Sequence, residues 1–372
     1  MSNLINEIPE EPYLLLTPGP LSTSKTVRAS MLRDWCTWDE DYNNIVQEIR
    51  KQLLEFSAQN YENYTSVLLQ GSGTYSIEAT LGSIVPNEGK VLVAINGAYG
   101  KRIVTILNRL GIKNTALYFS ENKITDPETI KKTLEADTEI THVAVVHCET
   151  TTGILNPIEK IASIVKESGR IFFVDMMSSF GGIPVDLAEL DIDVIVSSAN
   201  KCIQGVPGFG FTIIKKNLLE SCEGIARSYS LDLYDQWKTM EDHNGKWRFT
   251  SPTHTVRAFH QALMELKEEG GINARFKRYS NNRDTLINEM YVAGFPAYIE
   301  QEHRSPFITT FLSPESEKFN FNKFYQVLKN SGFVIYPGKL TDIETFRIGN
   351  IGEVFPEDMK RLGKTVRDNK FW

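Results

Sequence analysis

The chain has 372 residues, 41% hydrophobic and 23% charged, a composition ordinary for a globular protein with room for a large core and two domains. Its 40 basic against 47 acidic residues give a net charge of −7, which argues against a nucleic-acid partner but leaves room for a local basic pocket. No apolar run approaches the roughly 18 residues needed to span a bilayer, and the acidic opening from Met1 to Pro12 lacks the features of a signal peptide. Cys36, Cys148, Cys202 and Cys222 lie far apart and predict free thiols in a reducing, cytoplasmic setting. The six histidines show no ligand spacing, so no metal site is expected.

In chain order, Tyr13-Leu14-Leu15-Leu16 runs into Thr17-Pro18-Gly19-Pro20, where the prolines forbid helix and fix an extended path. From residue 65 strands and helices alternate. Strands are expected over Ser66–Leu69, Lys90–Ile95 and Thr141–His147, with helices over Thr74–Leu81, Tyr99–Leu110 and Pro157–Glu167. Further strands end at Asp175 and Ser197, and another covers Phe209–Ile214. Strands apolar along their whole length and joined by helices predict an α/β fold whose mostly parallel central sheet is covered on both faces. After Val256–Glu269, an amphipathic helix ended by Gly270-Gly271, come a helix over 273–292 and shorter elements at Phe307–Leu312, Phe321–Asn330 and Thr345–Ile348. They read as a smaller α+β domain. The expected division is a large domain over 21–260 and a small one built from 1–20 and 261–372.

Ligands of such sheets sit at the carboxyl ends of the strands, and the chemistry-bearing residues gather there. Asp175 closes one strand, and Lys201 follows the next in Ser197-Ser198-Ala199-Asn200-Lys201. A lysine that can bond an aldehyde and a carboxylate that can hold a pyridine nitrogen protonated are the pair that pyridoxal 5′-phosphate requires. Alone, Asp175 reads as well as a helix cap, and Lys201 as a surface lysine. Gln70-Gly71-Ser72-Gly73-Thr74 passes from strand to helix, and its small residues and helix N-terminus suit a phosphate. It lacks the ending of a P-loop, and by itself is ordinary turn chemistry. His147-Cys148-Glu149-Thr150-Thr151-Thr152-Gly153 closes another strand at the same edge, with hydroxyls for a ring oxygen or a phosphate; His147 and Cys148 read as packing residues. Tyr99 stacks on a cofactor ring or packs in the core. Arg347, on an apolar strand, demands an anion, either a substrate's acidic group or a neighbouring carboxylate.

Taken together the chain resembles the class V, fold-type I aminotransferases from Thr17 to near its C-terminus. Thr-Pro-Gly-Pro at 17–20, Gly-Ser-Gly-Thr at 71–74, Val-Asp at 174–175 and Asn-Lys at 200–201 come in the family's order. The stretches 32–39, 147–153, 178–182, 200–208 and 248–254 are most similar to the 2-aminoethylphosphonate–pyruvate branch. Relatives acting on alanine or serine with glyoxylate usually carry Gly-His-Arg where this chain has Arg33-Asp34-Trp35. A pyridoxal phosphate lyase of the cysteine desulfurase kind needs a reactive cysteine late in the chain, and none follows Cys222. Met176 departs from the small residue expected after the aspartate.

The resemblance implies that Lys201 carries the cofactor covalently and that Asp175 pairs with the ring nitrogen. It implies that Ser72, Gly73 and Thr74 bind the phosphate, joined by Thr250 from a second subunit. Tyr99 and Thr152 would line the ring, and Arg347 would grip the substrate's acidic group. It further implies a homodimer with active sites at the subunit interface, and 2-aminoethylphosphonate and pyruvate as substrates.

Overall fold

The computed structural model describes residues 7–338 and 343–372; the first six residues of the acidic opening, and of the segment assigned above to the small domain, lie outside the described residues. β1 (Leu14–Leu15) and α1 (Lys25–Ala29) precede a long helix, α2 (Glu40–Glu55). Strands and helices then alternate: β2 (Tyr64–Gln70), α3 (Gly73–Ile84), β3 (Lys90–Ile95), α4 (Ala98–Arg109), β4 (Lys113–Tyr118), α5 (Pro127–Ala136) and β5 (His142–Val146). After the short pair β6 (Cys148–Glu149) and β7 (Ile154–Leu155) come α6 (Ile158–Glu167), β8 (Ile171–Asp175), β9 (Val194–Ser198) and β10 (Phe209–Lys215). The remainder holds α7 (Lys216–Glu220), α8 (Leu233–Asp242), α9 (Thr253–Glu268), α10 (Gly271–Val292), β11 (Ile308–Leu312), α11 (Phe321–Asn330), β12 (Phe333–Val334), β13 (Tyr336–Pro337), β14 (Thr345–Gly349) and α12 (Pro356–Asp368).

Seven strands form the main sheet in the order β2-β10-β9-β8-β5-β3-β4. β4, β3, β5, β8 and β9 pair in parallel, and β10 runs antiparallel to both β9 and β2. Two reversals restore the direction, so β2 points the same way as the five parallel strands. The carboxyl ends of six strands therefore share one edge, as the sequence predicts. β5 and β9 are buried throughout, as a sheet covered by helices on both faces requires. β4, at the edge of the sheet, is only half-buried along its middle and exposed at both ends, so no apolar run announces it. α2 hides its core face in Tyr42, Val46, Ile49 and Leu53, a helical period set among polar residues.

The small sheet is β11-β14-β13, antiparallel, with Arg347 opposite Thr310 and Tyr336. Behind it a second apolar core gathers Phe295, Phe311, Phe324, Phe346 and Leu362, distinct from the core around the main sheet. Phe295 and Phe346 meet edge to face at 5.1 Å, the favoured geometry for two ring quadrupoles. Leu16, just past β1, joins this core, and its carbonyl accepts the Gly349 N–H at 3.0 Å. The segment leading into Thr17–Pro20 is thus laid against the strand that carries Arg347. A small apolar group of Leu21, Cys148, Cys202, Tyr279, Phe307 and Ile351 packs at the sheet edge. Among the described residues no helix is long and apolar enough to cross a membrane.

Candidate active site

Asp175 is the last residue of β8, in register with Val146 of β5 and Val196 of β9. Its carbonyl accepts the His147 N–H at 2.9 Å, which pins the start of the 147–153 turn to it. The carboxylate is buried, with Oδ1 accepting the Met177 N–H at 2.9 Å and no bond to Oδ2 among the described residues. Burial pushes the Asp175 carboxyl up, opposed by the Arg102 guanidinium, the Met177 N–H and the Lys201 ammonium. Lys201 lies three residues beyond β9, on a turn closed by the Gln204 N–H donating to its carbonyl at 2.8 Å. Its Nζ donates to the Pro18 carbonyl at 2.8 Å. The residue keeps some accessible surface, yet its ammonium is hemmed in, and burial pulls its pKa below the usual lysine range. Gly19 has φ +114°, and a Cβ there would fall 2.9 Å from Lys201 Nζ, so only glycine leaves the lysine room.

The glycine-rich turn flanks this pair. The Gly71 N–H donates to the Gly208 carbonyl at 2.9 Å, tying the turn to the return that follows Lys201. Ser72 is the N-cap of α3 but its exposed hydroxyl makes no capping bond, so it and the helix N-terminus are available to an anion. Gly73 is buried, and a Cβ there would lie 2.1 Å from Met177 Sδ. Met177 is therefore the methionine that reaches the turn; it and Met176, the departure seen in the sequence, both belong to the main core. Thr74 Oγ1 accepts a hydrogen bond from Arg102 Nη1 at 3.0 Å.

Tyr99 sits in the first turn of α4, whose N-terminus closes on a fully buried carboxylate. Glu149 Oε2 accepts the N–H groups of Tyr99 and Gly100 at 3.0 and 3.3 Å. Its Oε1 accepts the Thr151 N–H at 3.1 Å and the Thr151 hydroxyl at 2.5 Å. Burial pushes the Glu149 carboxyl up, and these four donors resist. The Tyr99 phenol acts electrostatically on both Lys201 and Arg347. Arg347 is 3% exposed; Nε donates to the Pro337 carbonyl at 3.1 Å and Nη1 to the Thr150 carbonyl at 2.8 Å. Burial lowers its pKa, and among the described residues it has no ion pair.

Thr152 is buried and donates its hydroxyl to the Glu121 carbonyl at 3.1 Å, so toward a ligand it offers only lone pairs. Thr250 is exposed and lines a pocket of about 450 Å³ with Gln70, Gly71, Tyr75 and Phe249, on the outer flank of the glycine-rich turn. His147 is pushed down to about 3 and Cys148 up to about 12 by burial, as suits packing residues. A polar groove of about 920 Å³ at the opposite edge of the sheet is lined by residues including Asp191 and Lys215, which pair with each other. Glu300, Glu302 and His303 bring three ligand atoms within 4.8 Å of one another, but on the surface, where Lys123 pairs with Glu300 at 2.7 Å.

Three contributors went unremarked in the sequence. Arg102 and Glu149 are charged residues of a kind that usually face solvent, and only the packing of α4 against the 147–153 turn buries them. Tyr279 of α10 is the third: its hydroxyl donates to the Cys202 carbonyl at 3.1 Å and accepts from Gln204 Nε2 at 2.7 Å, holding the Lys201 turn from behind.

These residues fit pyridoxal phosphate. A buried carboxylate with an uncommitted oxygen, an amine whose protonation is disfavoured, and an open helix N-terminus meet at one edge. The family model Aminotransferase class-V matches residues 22–341. The 2-aminoethylphosphonate–pyruvate transaminase of Syntrophobacter fumaroxidans is 58% identical, over 97% of this chain and 97% of that protein. The Bacillus cytotoxicus enzyme of the same name is 57% identical over 94% and 96%. A bifunctional phosphonoacetaldehyde hydrolase/aminoethylphosphonate transaminase of Clostridioides difficile is 56% identical over 96% of this chain, which spans 56% of that longer protein. Among solved structures, an alanine–glyoxylate aminotransferase from Nostoc sp. matches with TM-score 0.88 at 23% identity, covering 98% of both chains. A pyridoxamine–pyruvate aminotransferase from Mesorhizobium loti matches with TM-score 0.86 at 22% identity, covering 98% of this chain and 95% of that one. The structural likenesses establish the fold-type I α/β architecture, and the family match with the near-full-length identities establishes more: the chain belongs to the class-V aminotransferases.

Proposed function

We propose that this chain moves the amino group of 2-aminoethylphosphonate to pyruvate, releasing phosphonoacetaldehyde and L-alanine. The observation that carries the reading is the buried pair Asp175 and Lys201 beside Arg347, a desolvated guanidinium with no carboxylate partner among the described residues. The relatives of that name, matching along nearly the whole chain, support this substrate pair over alanine or serine with glyoxylate.

Pyridoxal phosphate, when bound, supplies an electron sink for the carbanion formed at the amine-bearing carbon. Lys201 Nζ would hold the cofactor and, once freed, would take the proton from the substrate's amine-bearing carbon and later give it up, a base that then acts as an acid. The depressed pKa suits this, because a lysine that is protonated at working pH accepts nothing. Asp175 would hold the ring nitrogen, and its carboxylate charge would favour electron flow into the ring. Ser72, Gly73 and Thr74 hold the phosphate at the α3 N-terminus. Tyr99 and Thr152 line the ring. Arg347 receives first a phosphonate and then a carboxylate, its fork suiting both. Both substrates use one site in turn, which requires ping-pong kinetics.

The working unit is a homodimer, in which Thr250 of one subunit completes the phosphate site of the other. The exposed Trp38, Tyr75, Tyr229 and Phe249 support such an interface, since large exposed aromatics mark association surfaces. The large domain over 21–260 carries the cofactor, and the small domain from 1–20 and 261–372 brings Arg347 to it. The four free cysteines support a cytoplasmic setting. The deciding assay supplies the purified protein with 2-aminoethylphosphonate and pyruvate and follows alanine, beside alanine–glyoxylate and serine–glyoxylate pairs. Alanine formed from the phosphonate at the highest kcat/KM supports the reading; preference for a glyoxylate pair overturns it.

A further inference from the structure

Arg102 lies one turn after Tyr99 on α4, with its guanidinium carbon 4.5 Å over the Tyr99 ring. Of its five N–H donors, one is engaged among the described residues, Nη1 to Thr74 Oγ1 at 3.0 Å. Among the described residues its buried Nε has no partner and the group has no ion pair. A part-buried guanidinium with donors to spare, held against the first turn of α3, needs an anion to offset its desolvation. Among the described residues no carboxylate pairs with it: Asp175, on whose carboxyl it acts, keeps its Oδ1 on the Met177 N–H and forms no ion pair with the guanidinium.

We infer that Arg102 is a binding and positioning residue for a phosphoryl dianion at the α3 N-terminus. Its Nη1 holds the Thr74 hydroxyl as an acceptor, so the Thr74 proton is turned toward the ligand, and its remaining donors take a ligand oxygen. The inference rests on the proposed function and deepens it. Two dianions have this chemistry, the phosphate of the cofactor and the phosphonate of the substrate. The same cation acts on both members of the reacting pair, favouring an ionised Asp175 and an uncharged Lys201, which are the states the proposed chemistry uses.

The test compares wild type, Arg102→Gln and Arg102→Lys. Apoprotein is titrated with pyridoxal phosphate and with pyridoxal, which lacks the phosphate, and binding is followed by tryptophan fluorescence. The phosphonate KM is then measured at saturating cofactor. Loss of a charge-assisted hydrogen bond is expected to weaken the affected ligand by about 10- to 100-fold. If the cofactor is the ligand, Arg102→Gln loses affinity for pyridoxal phosphate and not for pyridoxal, and Arg102→Lys recovers part of it. If the substrate is the ligand, both aldehydes bind as before and only the phosphonate KM rises. A variant in which pyridoxal and pyridoxal phosphate weaken equally, or in which nothing changes, overturns the inference while the proposed function stands. A wild-type chain that binds neither aldehyde overturns both.

Discussion

The Arg347 guanidinium donates to the carbonyl of Thr150 at 2.8 Å, and the residue before Thr150 is Glu149, whose carboxylate closes the first turn of α4. The anion-gripping strand of the small sheet is thereby joined to the helix that presents Tyr99 and Arg102. The other fixed bond of Arg347 also goes to a backbone carbonyl, at Pro337. These two neutral carbonyls orient the fork without neutralising it, and among the described residues no carboxylate pairs with its charge.

Replacing Arg347 with alanine is therefore expected to raise the KM for 2-aminoethylphosphonate and for pyruvate together, by about 10- to 100-fold. Affinity for pyridoxal phosphate, read from visible absorbance, is expected to hold. Arg347→Lys keeps the charge but not the planar fork and falls between the two. Steady-state kinetics with each substrate varied in turn checks this, and an unchanged KM for both removes Arg347 from the substrate site.

Lys201 makes a pH prediction for the apoprotein. Its amine attacks the aldehyde only when uncharged, and burial holds its pKa below the usual lysine value of 10.5. The rate of pyridoxal phosphate uptake should rise with pH and level off at a midpoint below 10.5. Stability moves in the same direction. Between the folded and unfolded pKa values the unfolded chain binds more protons, so the cost of burying the ammonium is relieved as pH rises through that window. Lys201→Ala should show no covalent uptake at any pH and no turnover, and activity retained in that variant refutes its role.

Asp175 predicts a trade of stability for activity. Its folded pKa is raised, so between 3.8 and that value the folded chain holds the extra proton, and stability falls as pH rises through the window. Asp175→Asn keeps an oxygen for the Met177 N–H and escapes this loss. The variant apoprotein should melt above wild type at neutral pH, with the gap closing as the solution is acidified. Its turnover should fall by about 100- to 1,000-fold for want of a fixed charge under the ring nitrogen. Thermal denaturation at several pH values checks the first half, and a wild-type melting temperature equal to or above the variant's contradicts it.

Much of this site was legible because apolar strands announce themselves and end in polar residues. Lys90–Ile95 was read to the residue, and the strand that ends at Asp175 was read with the correct final residue. The convergence of Asp175, Lys201 and the 71–74 turn follows from a parallel sheet alone. What stayed hidden depends on partners distant in sequence. Nothing local says that Lys201 donates to Pro18, or that Tyr279 supports the Lys201 turn, because these bonds join segments 183 and 77 residues apart. The reversal of β10 leaves no trace in composition, since a buried antiparallel strand is as apolar as its parallel neighbours. Charged Glu149 and Arg102 look like surface residues until α4 is packed against the turn, and burial, which the sequence does not state, is what gives them meaning.

Glu149 provides the sharpest test of how the site is assembled. Its two oxygens accept from the N–H groups of Tyr99, Gly100 and Thr151 and from the Thr151 hydroxyl, all at a residue with no accessible surface. Glu149→Ala strands these donors, each worth about 1–3 kcal/mol when left unpaired and buried. Gly97 packs closely enough that a Cβ there would fall 2.3 Å from the Glu149 carboxyl carbon, so a short side chain also leaves a void beside the helix N-terminus. Glu149→Gln keeps one acceptor but turns an NH₂ toward donors, and should lose less stability than alanine in denaturant titrations. Because the 149–151 turn holds the carbonyl that orients Arg347, both variants should raise the KM for the two acidic substrates more than they lower kcat. Loss of stability with unchanged KM values would confine Glu149 to holding the helix, whereas KM values that rise together, with cofactor affinity preserved, tie the helix N-terminus to the anion site through a single carboxylate.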